Sequence, residues 1–165
     1  RVQIGEVVLD HLDEEEKSVF RRRKIGFIFQ NYNLAPMLNI YENIVFPLTL
    51  DGRKPDEELL RSIISFLRLE DLLDAFPGEL SGGQQQRAAI ARALIAKPPV
   101  VLADEPTGNL DTIAGRDVMA LLQMMSKKYG QTVVMITHNE ELAQMADQII
   151  RLEDGKIVGE HHAGE

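Results

Sequence analysis

The spacing of apolar and polar residues divides this chain into extended and helical segments. Three largely apolar runs of strand length, Ile25 to Phe29, Val100 to Ala103 and Thr132 to Ile136, are typical of strands buried in a parallel sheet. The alternating run Val2 to Leu9 predicts a half-exposed strand. Helical spacing and end signals predict helices over Asp13 to Lys24, Ile40 to Leu48, Asp56 to Leu67, Gln84 to Lys97, Thr112 to Tyr129 and Glu140 to Ala146.

The order of these segments predicts one α/β domain with a helical insert. Strand and helix alternate from Val100 onward, which indicates a parallel sheet with helices on its faces. Residues 34–97 are predicted to be helical, whereas residues 1–33 and 98–165 belong to the sheet-bearing core. Near the end of the chain, Asp154-Gly155 between two apolar runs predicts a hairpin of Gln148 to Leu152 and Lys156 to Glu160, followed by a frayed tail, HHAGE.

Composition narrows the function classes. The net charge of −8 argues against nucleic acid or an anionic membrane surface as a bulk electrostatic partner, because both attract clustered positive charge. The chain has no cysteine, which excludes disulfides, thiol nucleophiles and cysteine metal sites, and its four histidines are scattered. The longest apolar runs are far shorter than the ~20 residues of a membrane-spanning helix.

The stretch GELSGGQQQ, residues 78–86, nearly fits a phosphate-binding loop of the form G-x-x-x-x-G-K-[ST]. It lacks the lysine and follows helix and turn sequence in place of a strand, which rejects that interpretation. Ser81 and Gln84 instead form a predicted capping box. Two glycines in the first turn remain unexplained, since each costs about 1 kcal/mol relative to alanine inside a helix. Bare amides at a helix start suit an anion, and a phosphate is the natural occupant.

A second group of polar residues follows the strand Val100 to Ala103. Asp104 and Glu105 lie where ligands bind in open α/β sheets, at the carboxyl end of a strand. An isolated acid pair can also be a simple polar turn. An Asp at the tip of a buried strand, however, resembles a Walker B carboxylate, which holds Mg²⁺ beside a nucleotide phosphate, and Glu105 is then placed to deprotonate a water.

Polar residues also follow the other two predicted sheet strands. Gln30 comes directly after one, and Thr137-His138 after the other. A single Gln or His after a strand is most often ordinary loop chemistry. Because the carboxyl ends of parallel strands share one edge of a sheet, these residues are predicted to converge with Asp104 and Glu105 into one site.

At this point the residues resemble a family, the ATP-binding domains of ABC transporters. The matching segments lie in the family order: Gln30 resembles the Q-loop, Leu80 to Gln84 the LSGGQ signature, Val100 to Pro106 the Walker B motif, Asn109 to Asp111 the D-loop and His138 the switch histidine. The flanking sequences are similar to a bacterial subfamily that includes lipoprotein-releasing, macrolide-export and cell-division ATPases. The resemblance implies a P-loop NTPase-like parallel sheet with a helical insert subdomain.

The resemblance also implies a mechanism in which two domains pair head to tail around two ATP molecules. Asp104 would organise Mg²⁺, Gln30 would sense the metal and its water, Glu105 would be the base, and His138 would contact the γ-phosphate. Asp111 would act across the interface. Four signature residues would cap the ATP of the other copy: Ser81, Gly82, Gly83 and Gln84. The helical insert would contact a membrane permease, which places the domain peripherally at the cytoplasmic face of the membrane.

One family motif is missing. No G-x-x-x-x-G-K-[ST] occurs in the 165 residues, and the family position of this Walker A motif would be upstream of Arg1. The chain is thus expected to be an N-terminally truncated ATPase domain with exposed apolar sheet edges. The alternative to an ATPase is a non-catalytic module that binds a partner without hydrolysing ATP. An ABC-type ATPase of DNA repair or translation is disfavoured by the acidic charge and by the absence of a coiled coil or a second such domain from the 165 residues.

Overall fold

The computed structural model describes residues 1–162. The chain begins with a small antiparallel hairpin, which is followed by a helix. Strands β1 (Gln3–Ile4) and β2 (Val7–Val8) pair across a turn at Gly5, whose φ is +59°. The prediction of one strand over Val2 to Leu9 is therefore wrong, because glycine enters the left-handed region without steric penalty and lets the chain reverse. The predicted helix follows as α1 (Glu14–Lys24). The structure shows a capping box at its start.

A three-stranded parallel sheet forms the centre. It consists of β3 (Ile25–Ile28), β4 (Val100–Asp104) and β5 (Thr132–Ile136), in the order β3-β4-β5. Ile25 pairs with Val100, and Val100 with Thr132, so the three carboxyl ends lie at one edge. The predicted α/β fold is confirmed. The predicted burial of β5 is wrong, since Ile136 is 66% exposed: β5 has no neighbouring strand on its outer side within residues 1–162.

The predicted helical insert contains α2 (Ile40–Thr49), α3 (Glu57–Phe66) and α4 (Gly82–Leu94). Their inward faces share one apolar core that includes Ile44, Ile63 and Leu94. Asn43 is 1% exposed and connects the preceding loop to α2: its Oδ1 accepts from Ala35 N at 2.7 Å, and its Nδ2 donates to three backbone carbonyls. No helix in the described part of the chain is long and apolar enough to cross a membrane.

The last third contains α5 (Thr112–Tyr129), α6 (Glu140–Ala143), β6 (Gln148–Glu153) and β7 (Lys156–His162). Helix α5 has the predicted bounds and ends at Gly130, with φ +63°. Helix α6 is shorter than predicted, because Met145 and Ala146 donate to carbonyls three residues back and tighten the last turn. The predicted hairpin is present as β6 and β7. Of the predicted frayed tail HHAGE, the histidines lie in β7 and residues 163–165 lie outside the described residues.

Gly26 sets the distance between α4 and the sheet. A Cβ at this position of β3 would lie 2.5 Å from the Ala93 carbonyl oxygen and 3.0 Å from Pro98 Cγ. Only a residue without a side chain allows this approach of helix to strand. The helix that begins with the signature sequence is therefore packed backbone to backbone against the sheet that carries the acidic residues.

Candidate functional site

The carboxyl edge of the sheet brings several predicted site residues together. The backbone N–H of Glu105 donates to the Ile136 carbonyl at 2.9 Å, which extends the pairing of β4 and β5 by one residue. Glu105 has φ +45°, a conformation that non-glycine residues seldom adopt. Gln30 follows β3 at the same edge, and its carbonyl accepts a hydrogen bond from Asn109 Nδ2 at 3.2 Å.

Glu105 and His138 form the best-defined contact of the edge. The carboxylate of Glu105 accepts from the His138 backbone N–H at 2.8 Å and from Thr137 Oγ1 at 3.2 Å, and it lies 2.7 Å from His138 Nδ1. An ionised carboxylate only accepts, so Nδ1–H of His138 donates this hydrogen bond and Nε2 points away from Glu105. The Glu105 side chain is 14% exposed and the His138 side chain 85% exposed. The carboxylate is thus held in one orientation, while the imidazole remains open to a ligand.

Asp104 and Gln30 are the predicted metal-binding residues. Asp104 is exposed at the end of β4, and within residues 1–162 neither side chain makes a hydrogen bond. No cluster of three or more His, Cys, Asp or Glu suited to a metal occurs in that range. Mg²⁺ commonly takes one or two carboxylates and completes its shell with water and substrate phosphate. The residues fit an ion that arrives with a nucleotide, and do not form a metal centre made of protein ligands alone.

The signature stretch forms the start of α4 as the capping box predicts. Ser81 Oγ accepts from Gln84 N at 3.3 Å, and Gln84 Oε1 accepts from Ser81 N at 2.8 Å. The two glycines have neighbours within the chain. A Cβ at Gly82 would lie 2.6 Å from the Tyr32 hydroxyl, and one at Gly83 would lie 3.3 Å from Leu110 Cδ2. Both neighbours are the ends of side chains, so internal packing disfavours a side chain at these two positions without excluding one.

Asp111, predicted to act across a dimer interface, has a clear role within its own chain. It is the N-cap of α5, and its Oδ1 accepts from Ile113 N at 3.0 Å and from Ala114 N at 2.9 Å. The sequence carried this signal, since an Asp directly before a helical segment is a preferred N-cap. The start of α5 and the Asp111 carboxylate are therefore one structural unit.

Two residues of α4 contact the site and were missed from the sequence. Gln86 is fully buried, and its Nε2 donates to the Pro106 carbonyl at 2.9 Å, one residue after Glu105. Arg92 donates to the carbonyls of Tyr32 and Asn33, just after Gln30. No local pattern marks such residues, because their partners are separated from them by 20 to 60 positions.

Comparison with known proteins identifies the family. The family model described as ABC transporter matches residues 1–108. An uncharacterized ABC transporter ATP-binding protein of Methanocaldococcus jannaschii, MJ0796, is 43% identical over 164 residues, covering 93% of this chain and 70% of that protein. The chain belongs to the ABC transporter family, as its five motifs predicted.

A second relative and a solved structure extend this result. The macrolide export ATP-binding/permease protein MacB of Syntrophobacter fumaroxidans is 41% identical, and the match covers 96% of this chain and 23% of that protein. A dimeric structure of the cassette MJ0796 in a post-hydrolysis state, bound to ADP and Pi, superposes with a TM-score of 0.89 at 39% identity. That match covers 98% of this chain and 72% of the other. The chain thus has the ATP-binding cassette fold but spans only part of each of these relatives.

Proposed function

We propose that this chain is the ATP-binding and hydrolysing part of an ABC transporter, in which ATP-driven dimerisation moves a substrate through a membrane permease. The observation that carries the proposal is the Glu105 carboxylate, held by Thr137 and His138 beside the exposed carboxylate of Asp104. Two adjacent acids in different surroundings suit two tasks. The fixed acid takes a proton from water, and the exposed one binds a cation.

The residues at the carboxyl edge divide the work of hydrolysis. Glu105 is the general base toward the attacking water. His138 contacts the γ-phosphate through its exposed imidazole, in line with its 85% exposed side chain. Asp104, with Gln30 beside it, would hold Mg²⁺, which neutralises charge on the phosphates when bound. The hydrogen bonds on Glu105 keep the base oriented before substrate arrives, which reduces the reorganisation needed during the reaction.

The amino end of α4 binds the nucleotide that a second copy of the chain holds. Its N–H groups and the helix dipole favour an anion, and Ser81, Gly82, Gly83 and Gln84 would cap the ATP phosphates held by the other copy. Asp111 would lie at the same interface, joined to α5 by its cap. A relative's structure that is dimeric and bound to ADP and Pi supports a homodimer, and in this proposal two ATP molecules lie at its interface. Nucleic acid is not the expected partner of this acidic chain.

The helical insert would contact the permease at the cytoplasmic face of the membrane, with the domain bound peripherally. An apolar groove of about 400 Å³ between the insert and the sheet supports this assignment. Phe29, Phe46 and Leu50 line the groove and are between 37% and 52% exposed. Arg21, which is exposed, also lines it and would favour a partner segment that combines apolar and acidic residues.

A second candidate function is a non-catalytic module that binds a partner. It is favoured by one observation, the absence of G-x-x-x-x-G-K-[ST] from the 165 residues, because that loop holds the nucleotide phosphates in P-loop ATPases. On this alternative the site residues are present but the chain alone does not turn over ATP.

ATP turnover by the 165-residue chain separates the two functions. Glu105→Gln removes the base while keeping size, so we expect a loss in kcat of about 10²-fold or more. Glu153→Gln, an exposed change in β6, is the control and should leave turnover unaltered. Turnover that Glu105→Gln abolishes refutes the non-catalytic module. Turnover that survives the substitution contradicts the role assigned to Glu105, and absence of turnover in the unsubstituted chain favours the module.

A further inference from the structure

The segment after Gln30 has an unusual backbone. Tyr32 and Asn33 are consecutive non-glycine residues with φ of +60° and +50°. Left-handed conformations are unfavourable for residues with a Cβ, and two in succession persist only when surrounding contacts hold them. The segment's own hydrogen bonds are two short turns, from Tyr32 N to Phe29 O and from Asn33 N to Asn31 O. Other parts of the chain must therefore fix it.

Arg92 of α4 supplies that contact. Its Nη2 donates to the Tyr32 carbonyl at 2.7 Å, and its Nη1 donates to the Asn33 carbonyl at 2.6 Å. The planar guanidinium fork thus holds two successive carbonyls at once, a geometry that the single ammonium of lysine does not reproduce. Burial lowers the pKa of the Arg92 guanidinium from its ordinary value. Because this partly buried arginine donates to two backbone carbonyls, it fixes the path of the chain at Tyr32 and Asn33.

The side chain of Tyr32 reaches the opposite end of the same helix. Its hydroxyl oxygen lies 2.6 Å from the position that a Cβ would take at Gly82, the first residue of α4. Arg92 lies ten residues further along, about 15 Å at the helical rise, and long helical side chains extend back toward the amino end. Tyr32 is therefore in contact with α4 twice, through its carbonyl at Arg92 and through its hydroxyl at Gly82.

We propose that Arg92 is a positioning residue that, through Tyr32, couples the segment after Gln30 to the amino end of the signature helix within one chain. A displacement of either end is transmitted to the other, because Tyr32 is clamped at its backbone and packed at its tip. The consequence for ATP chemistry rests on the function proposed above, whereas the coupling itself rests on these contacts alone.

Amide hydrogen exchange on the full chain tests the coupling, with the single variants Arg92→Met and Tyr32→Phe and the double variant. Four hydrogen-bonded amides report on the two ends: Tyr32 and Asn33 at one, Gln84 and Gln85 at the other. In Arg92→Met we expect exchange about tenfold faster at the first pair and about threefold faster at the second. In the Tyr32→Phe background, Arg92→Met should leave the second pair unchanged. Arg61→Met, on the exposed face of α3, is the control and should alter neither.

The outcomes are distinct. Faster exchange at residues 32–33 with no change at residues 84–85 overturns the coupling. Exchange at Ile90 and Leu94 that speeds up as much as exchange at residues 84–85 also overturns it, because this result indicates a general loosening of α4. An effect at 84–85 that survives Tyr32→Phe places the route elsewhere and also refutes the proposal. ATP turnover of the unsubstituted chain is measured in parallel. Its absence counts against the proposed function and leaves the exchange result intact.

Discussion

Two regions bury their apolar residues very differently: the predicted helical insert, residues 34–97, called the helical subdomain below, and the C-terminal edge, which we define as β5 with the β6–β7 hairpin. In the subdomain, Ile40 and Ile44 are fully buried and Ile63 is 1% exposed. At the C-terminal edge, Ile136 and Leu152 are each 66% exposed. Both regions carry apolar side chains at regular spacing, so the sequence alone does not separate them.

The difference lies in where each element finds its partner. Helices α2, α3 and α4 are close in sequence and cover one another. A strand instead needs a neighbouring strand on each side to satisfy its backbone and another layer packed on the sheet to cover its faces. Strand β5 pairs with β4 on one side only, and β6 pairs only with β7 among the described residues. The C-terminal edge is thus the part of the fold that gains most from an additional strand.

The largest expected effect is in the helical subdomain. Ile44→Ala removes a fully buried side chain from its core, and we expect the free energy of unfolding to fall by about 2–5 kcal/mol. Urea denaturation followed by circular dichroism measures it. A loss below about 1 kcal/mol would mean that this core is as loosely packed as the C-terminal edge.

Asn43→Ala tests the buried polar contact of the same subdomain. The change leaves the Ala35 N–H and nearby carbonyls without their partner in a dry environment, so we expect a loss of about 1–3 kcal/mol. Asn31→Ala, on the exposed loop before it, is the control for removing an asparagine. If both variants unfold at the same urea concentration, Asn43 does not stabilise the subdomain.

Ser81→Ala removes the N-cap of α4. Gln84 N loses its acceptor, and we expect the free energy of unfolding to fall by about 1 kcal/mol. Ser81→Asp keeps a capping oxygen and should restore most of it. Failure of aspartate to restore stability would show that the capping geometry is not what serine contributes.

Asp51 gives the subdomain a dependence on pH. Its side chain is 2% exposed and accepts from Arg23 Nε at 2.8 Å and Arg22 Nε at 2.7 Å, and the hydrogen bond from Arg23 lowers the pKa of the carboxyl. A lowered folded-state pKa stabilises the fold above the ordinary value of about 3.9, and this contribution is lost as the pH falls through the folded-state pKa. The stability difference between the chain and Asp51→Asn should therefore shrink below about pH 4. A difference that stays constant from pH 7 to pH 3 contradicts the pairing.

The smallest effect is expected at the C-terminal edge. Ile136→Ala removes a side chain that is 66% exposed, so the free energy of unfolding should change by less than about 0.5 kcal/mol. Measured beside Ile44→Ala under the same conditions, it tests the contrast between the two regions directly. A loss comparable to that of Ile44→Ala would show that the edge is covered in solution.

Local signals predicted much of the fold. The bounds of α5 and β5 and the capping box at Ser81 follow from neighbouring residues, and the structure reproduces them. The turn at Gly5 was missed, because the apolar alternation continues across it. Nothing near Tyr32 or Arg92 indicates that they meet 60 positions apart. Strand order placed Glu105 near His138, but the distances between them depend on packing that the sequence pattern does not contain.

A substitution at Gly26 would change the position of the signature helix, α4, relative to the sheet. An added methyl group would have to move the Ala93 carbonyl oxygen from 2.5 Å to at least 3.0 Å, the distance below which Cβ contacts essentially never occur. Gly26→Ala would therefore increase the spacing between α4 and the sheet without replacing any of the proposed site residues. The missing side chain of Gly26 therefore determines how closely α4 and β3 can approach each other.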